Sequence, residues 1–362
     1  MMRRIRHGRR HLITAAFIAT WACGGERPRD PARPGGAPNA PPMRGEAASA
    51  TSGPGRLAGS VGSPPAAAAW RRLPAEMPTA RTGTVAFAYR ARVYVIAGQR
   101  DATFLGSSEA FDTSSAKWST LPPAPLGRTF TSTNAAAVGP TLYLVGGNAR
   151  GYCTDRVDAF DVTRSAWAVL PSAPVARCHA ASVVADGRVY VLGGWNTSST
   201  VHYTQVDVFD PGTVRWHAGD PLPEPRGAMA AGVIDGVIYL VGGWTPGTDA
   251  SATVVAYDPH AHRWARRASM PTARSVAAAA LVGRRLYVIG GITYHAGTAT
   301  LLDTVESYDP ATDSWRTEPA LPVPIAYASA AVIGRTIYVL GGQLRSDGLG
   351  ATSSVFALTV PP

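Results

Sequence analysis

The chain has 362 residues, 46% of them hydrophobic, enough to bury one large core or two ordinary ones. Glycine (38) and proline (30) are far commoner than a helical domain carries, and the apolar runs are short, β-branched and bounded by turn residues. That excludes a helical bundle and favours an all-β fold. Lysine and arginine total 34 against 24 acids, a formal charge of +10, but five arginines crowd into residues 1–22 and no basic run follows, so nucleic acid is excluded as a partner.

In chain order, "MMRRIRHGRRH" forms a positive leader and "LITAAFIATWA" (12–22) an eleven-residue apolar stretch, followed by Cys23. Eleven helical residues rise about 16 Å, too little for a hydrocarbon core of ~30 Å, so residues 1–22 read as an export signal. "TWACGG" resembles a bacterial lipoprotein signal, which implies lipidation of Cys23 and attachment to a membrane through that lipid. Thr20 and Trp21 depart from the usual pattern, so ordinary cleavage and secretion is the alternative. "RRHLI" (9–13) carries a faint twin-arginine flavour. Residues 23–65 are rich in Pro, Gly, Ala and Ser with hardly a large apolar side chain, and read as a disordered tether reaching roughly 35 Å.

From residue 66 onward one unit recurs. Small-residue pairs stand at Ala97-Gly98, Gly146-Gly147, Gly193-Gly194, Gly242-Gly243, Gly290-Gly291 and Gly341-Gly342, their second members 47 to 51 residues apart. Each pair follows a strand such as "RVYVLGG". Phe or Tyr followed by Asp comes next, at Asp112, Asp161, Asp210, Asp258 and Asp309, then Trp118, Trp167, Trp216, Trp264 and Trp315. Ten residues after each tryptophan stand Arg128, Arg177, Arg226, Arg274 and, exceptionally, Ile325. A period near 50 with four short strands per unit indicates a propeller. The glycine pairs are expected where a neighbouring backbone or ring approaches too closely for a Cβ, the fourth-strand tryptophan being the expected visitor.

The double glycine, the aromatic-Asp turn and the spaced tryptophan together resemble Kelch repeats over residues 66–362. The resemblance implies a six-bladed Kelch β-propeller of four-stranded antiparallel blades. The last unit ends at "SSVFALTVPP" without a tryptophan strand, whereas "AAAWRRLPAEMPTAR" (67–81) carries Trp70 and Arg81 in that pattern ahead of any blade. The N-terminal segment is therefore expected to complete the sixth blade and remove an open edge.

Features repeated in every blade read as architecture, so a binding rim is expected where blades differ, in the loops between second and third strands. There Trp195, Asn196, Trp244, Tyr294 and His295 could stack on a sugar or grip a peptide side chain, or simply pack on their own loops, and Arg100, Arg150 and Arg345 lie in the remaining loops. Arg81, Arg128, Arg177, Arg226 and Arg274, which open the blades, hold positions that in animal Kelch propellers can face the pocket. They are either structural or a ring suited to an anionic partner, with Glu306, Asp101, Asp155, Asp249 and Asp347 available to neutralise it. Cys153 and Cys178 fall at one blade junction and are expected to form a disulfide in an oxidising compartment.

Enzyme signatures are sparse. Lys117 lacks a phosphate-binding glycine loop, no Gly-x-Ser-x-Gly elbow is present, and His260 and His262 sit in a turn without a third ligand, so no metal and no cofactor is expected. The expectation is a monomeric, exported binding module for a protein or glycan, an anionic one included, held in the periplasm or at the cell surface. The alternative is a sugar-binding enzyme of sialic acid mutarotase type, in which a blade-opening arginine would hold a carboxylate and an acid would move the proton.

Overall fold

The computed structural model describes residues 68–130, 135–246, 250–295, 298–346 and 350–362. The expected signal, Cys23 and tether lie outside these residues, as do Asp249 and Asp347.

The short β-branched runs pair as antiparallel strands in six four-stranded sheets. Blade 1 comprises Val85–Tyr89, Arg92–Ile96, Ser108–Asp112 and Lys117–Leu121. Blade 2 comprises Ala136–Val138, Thr141–Val145, Val157–Asp161 and Ala166–Leu170. Blade 3 runs through Ala181–Ala185, Arg188–Leu192, Val206–Asp210 and Arg215–Ala218, and blade 4 through Ala230–Ile234, Val237–Val241, Val254–Asp258 and Arg263–Arg267. Blade 5 takes Ala278–Val282, Arg285–Ile289, Val305–Asp309 and Ser314–Glu318. Blade 6 takes Ser329–Ile333, Thr336–Leu340 and Val355–Thr359 from the C-terminal end, and its fourth strand is Arg71–Arg72.

The closure is by register. Arg71 pairs with Ala357 and Arg72 with Phe356, and the amides of Leu73, Met77 and Arg81 donate onward to Val355 O, Ser353 O and Thr352 O. This circular arrangement leaves blade 6 without the bare edge its own three strands would present.

The core is distributed over the seams between blades. At one, Tyr190, Leu192 and Val208 of blade 3 interlock with Ile238, Leu240 and Tyr257 of blade 4. Each such aliphatic side chain removed from water contributes about 1.5–3 kcal/mol, so a propeller of this size is held chiefly by its seams. The third-strand aspartates end that strand by accepting amide hydrogens from the turn: Asp161 Oδ1 from Thr163 and Arg164, Asp210 Oδ1 from Gly212 and Thr213.

The fourth-strand tryptophans are half-buried, apart from buried Trp70, and they act across the seams through nitrogen as well as area. The indole N–H of Trp167 donates to Pro122 O (2.9 Å), Trp216 to Pro171 O (3.1 Å), Trp315 to Ala268 O (2.8 Å), Trp118 to Ala75 O (3.1 Å) and Trp70 to Pro319 O (2.8 Å). Trp264 is the exception: its buried Nε1 has no partner.

The neighbour of the glycine pair is not the tryptophan that the sequence suggested. A Cβ on Gly146 would stand 2.6 Å from Arg177 O, and one on Gly242 would stand 2.5 Å from Arg274 O. The visitor is thus the carbonyl that opens the following blade, and it accepts a hydrogen bond from the second glycine of the pair, as in Gly147 N–H to Arg177 O (2.8 Å). A backbone carbonyl serves this purpose whatever its side chain, which is why Ile325 can replace arginine: Gly291 N–H still donates to Ile325 O at 2.8 Å.

Candidate functional site

Two residues past each blade-opening position stand Gly83, Phe130, His179, Ala228, Val276 and Tyr327, all with φ between 49° and 59°. Their backbones form a closed circle of hydrogen bonds: Phe130 N–H to Gly83 O (3.2 Å), His179 to Phe130 (3.0 Å), Ala228 to His179 (2.8 Å), Val276 to Ala228 (3.0 Å), Tyr327 to Val276 (3.0 Å) and Gly83 to Tyr327 (2.9 Å). One member comes from each blade and the circle closes, so it surrounds the propeller axis. Left-handed backbone in five non-glycine residues, β-branched Val276 among them, costs on the order of 1 kcal/mol or more each.

Three of the six side chains are rings, and they meet. Phe130 stacks on His179 at 4.4 Å and lies 5.2 Å from Tyr327. His179 carries Trp195 on its other side, stacked at 4.3 Å, so the imidazole lies between two aromatic faces. Trp195 meets Trp244 edge-on at 5.6 Å, and His202 sits against both indoles at 5.5 and 5.1 Å. All six rings are half-buried. Trp195 and Trp244 directly follow the glycine pairs, at the end of the axis where the loops between second and third strands emerge. The result is an aromatic well.

The described rings of the well carry no charge near neutral pH. Burial pulls His179 down to about 3 and His202 in the same direction, and pushes the Tyr327 phenol up, with Tyr294 adding to that rise. His202 Nε2 is buried without a hydrogen-bond partner.

The five blade-opening arginines lie elsewhere. Arg81, Arg128, Arg177, Arg226 and Arg274 are at most 1% exposed. In each, one guanidinium nitrogen donates to two carbonyls of its own blade, as Arg274 does to Gly290 O (3.1 Å) and Thr304 O (2.8 Å). The other meets a carboxylate: Glu109 for Arg81 (2.7 Å), Asp158 for Arg128, Asp207 for Arg177 and Glu306 for Arg274 (2.7 Å). Burial lowers Arg128 to about 10, so it stays charged at neutral pH. These are interior clamps: of the two readings the sequence left open for these arginines, their contacts match the structural one, not a guanidinium ring facing an anionic ligand. Blade 4 has Val255 where the acid stands elsewhere, and Arg226 reaches back to Glu224. Blade 6 replaces both partners, with buried Ile325 and Phe356 in the two positions.

Among the remaining expected residues, Asn196 shapes its loop, its Oδ1 accepting from the amides of Thr200 (3.0 Å) and Val201 (3.1 Å). Tyr294 and His295 lie on the exposed end of a hairpin, Ile292–His295 with Thr298–Leu301. Arg100, Arg150 and Arg345 are exposed on three other loops, with Asp101 and Asp155 exposed beside the first two. Apolar tips punctuate this rim: Tyr152 is 69% exposed, Val201 49%, Leu344 43% and Tyr294 36%. Cys153 and Cys178 form a disulfide with Cα atoms 5.2 Å apart. Cys178 also exchanges both backbone hydrogen bonds with Trp195 (3.0 Å each), so the bridge ties the blade 2 loop to the segment that carries the stacked indole.

On the opposite face, His260 and His262 reach across the seam between blades 3 and 4 to Asp186 (3.2 Å) and Asp220 (2.8 Å). Among the described residues no group of three or more His, Cys, Asp or Glu side chains is arranged to hold a metal ion.

Sequence reasoning found Trp195 and Trp244 but missed Phe130, His179, His202 and Tyr327. A signal was present: the position two past the blade opening is fixed in register yet varies freely in chemistry, as an inward-facing ring of recognition residues would.

The KLHDC2/KLHL20/DRC7 Kelch-repeats domain matches residues 65–243, and the Kelch motif matches residues 225–271 and 273–322. No curated protein matches the chain. Among solved structures, that of YjhT is similar at 18% identity with a TM-score of 0.66, over 80% of this chain and 95% of that one. At that identity the likeness speaks for the fold.

Proposed function

With Kelch repeats folded into a six-bladed propeller as its framework, we propose that the chain is a non-enzymatic recognition module that binds a protein or a glycan through its loop face. The observation that carries this reading is the convergence of six half-buried rings at the axis, surrounded by exposed apolar loop tips. Half-buried indoles and imidazoles gathered at one pole, with few polar groups among them, are characteristic of binding sites. The sugar-enzyme alternative loses its central residue, because every blade-opening arginine is committed inside its blade.

We place the module outside the cytoplasm, held by a lipid on Cys23, on the strength of the leader and "TWACGG" in the sequence. The disulfide supports the same compartment. Metabolic labelling with a radioactive fatty acid should mark the wild type and miss a Cys23→Ser variant; equal labelling of both would refute the anchor.

The binding face is tested with an array of glycans and secreted peptides probed with the wild type, Trp195→Ala, Trp244→Ala and, as a control on the far face, His262→Ala. Signals lost in both tryptophan variants and retained in the control support the proposal. Signals indifferent to both tryptophans contradict it.

A further inference from the structure

The chemistry of the aromatic well narrows the kind of ligand it takes, given the reading that the loop face is the binding face. It is built from the indoles of Trp195 and Trp244 and the Phe130–His179–Tyr327 group. Between the rings stand groups that can hydrogen-bond and carry no charge: the imidazoles of His179 and His202 and the phenol of Tyr327. No carboxylate or guanidinium is among the well's described side chains. The arginines that would have made the axis cationic are each at most 1% exposed, in pairs that hold blades together.

A charged group entering such a site would lose its hydration and meet no counter-charge among the described side chains, an uncompensated cost of several kcal/mol. A purely apolar group would stack on the rings but leave the buried Nε2 of His202 without the partner it already lacks, forgoing the about 1–3 kcal/mol that a hydroxyl brought to it would recover. The ligand that answers both constraints has one apolar face for the indoles and an edge of uncharged hydroxyls for the imidazole nitrogen and the phenol. We propose that the well takes a neutral pyranose unit of an oligosaccharide or polysaccharide, its C–H face on Trp195 or Trp244 and a hydroxyl donating to His202 Nε2. His202 lies against both indoles, within 5.5 Å of one and 5.1 Å of the other, which places donor and stacking surface on the same sugar ring.

The test is titration calorimetry on the full chain with cellotetraose, maltotetraose and chitotetraose as neutral probes, tetragalacturonate and 3′-sialyllactose as anionic ones, and tryptophan- and tyrosine-containing tetrapeptides. At least one neutral tetrasaccharide should bind, with affinity falling about 30-fold in Trp244→Ala, recovering substantially in Trp244→Phe, and unchanged in His262→Ala. Circular dichroism and melting of each variant guard against a folding defect. Binding confined to the anionic sugars or to the peptides, still dependent on Trp244, would overturn the neutral-sugar inference while leaving the loop face as the binding face. Binding unaffected by Trp195→Ala and Trp244→Ala but lost in His262→Ala would overturn both. Failure of every neutral probe to bind would also overturn the inference.

Discussion

Blade 6 offers a natural control for the interior clamps. Replacing Arg274 with isoleucine, the residue found as Ile325, leaves Glu306, 2% exposed, without its cation and removes donors from Gly290 O and Thr304 O. Thr272 Oγ1, 2.8 Å away, remains on the carboxylate, but a neutral donor does not balance a buried charge. Breaking one side of such a pair costs about 3–5 kcal/mol, which for a domain of this size lowers the melting temperature by on the order of 10 °C. Glu306→Phe, which copies Phe356, should cost a similar amount by stranding the guanidinium. The double variant Arg274→Ile/Glu306→Phe reproduces the apolar pair that blade 6 already buries, so its loss should fall short of the summed single losses by at least about 2 kcal/mol. Urea unfolding at neutral pH with a common m-value reads all four proteins. Additivity within about 0.5 kcal/mol, or an Arg274→Ile cost below about 1 kcal/mol, would refute the clamp and reopen a ligand-facing role for these arginines.

His179 should govern stability on the mildly acidic side. Its folded-state pKa is depressed to about 3, so as pH falls below about 6.5 the unfolded chain takes up a proton that the folded one refuses, and stability declines towards pH 3. Between pH 6.5 and 4.5 this amounts to roughly 2–3 kcal/mol, and His179→Phe should flatten that limb in pH-dependent urea titrations; an unchanged slope would mean the imidazole is not held neutral. Trp216→Phe should cost about 1 kcal/mol more than Trp264→Phe, because only Trp216 has a cross-seam acceptor to lose; equal melting shifts would contradict this. Removing the disulfide in Cys153→Ser/Cys178→Ser should cost about 3 kcal/mol for a bridge spanning 25 residues, measured by the same denaturation; no change would show that it does not constrain the loop.

The six-bladed ring and its N-terminal closure were legible because they rest on residues that repeat in register, and a missing tryptophan strand at one end matched a spare one at the other. The clamp was half legible. Glu109, Asp158, Asp207 and Glu306 all stand second in their third strands, but the eye is drawn to the conspicuous arginines and not to the acids some thirty residues on. The role of the glycine pair was misread because a backbone carbonyl leaves no trace in the side-chain pattern. The well was the least legible part. Phe130, His179 and Tyr327 are about 50 and 150 residues apart, and only the closed circle of amides around the axis brings them together, so no local window contains the site.

The most direct test of the recognition face uses ¹⁵N-tryptophan-labelled protein and whichever array probe it binds. The indole N–H resonances of Trp195 and Trp244 should shift in a saturable way while those of Trp216, Trp264 and Trp315 stay in place. Shifts centred on Trp264, or saturable binding that leaves Trp195 and Trp244 unmoved, would put the ligand somewhere other than the axial well.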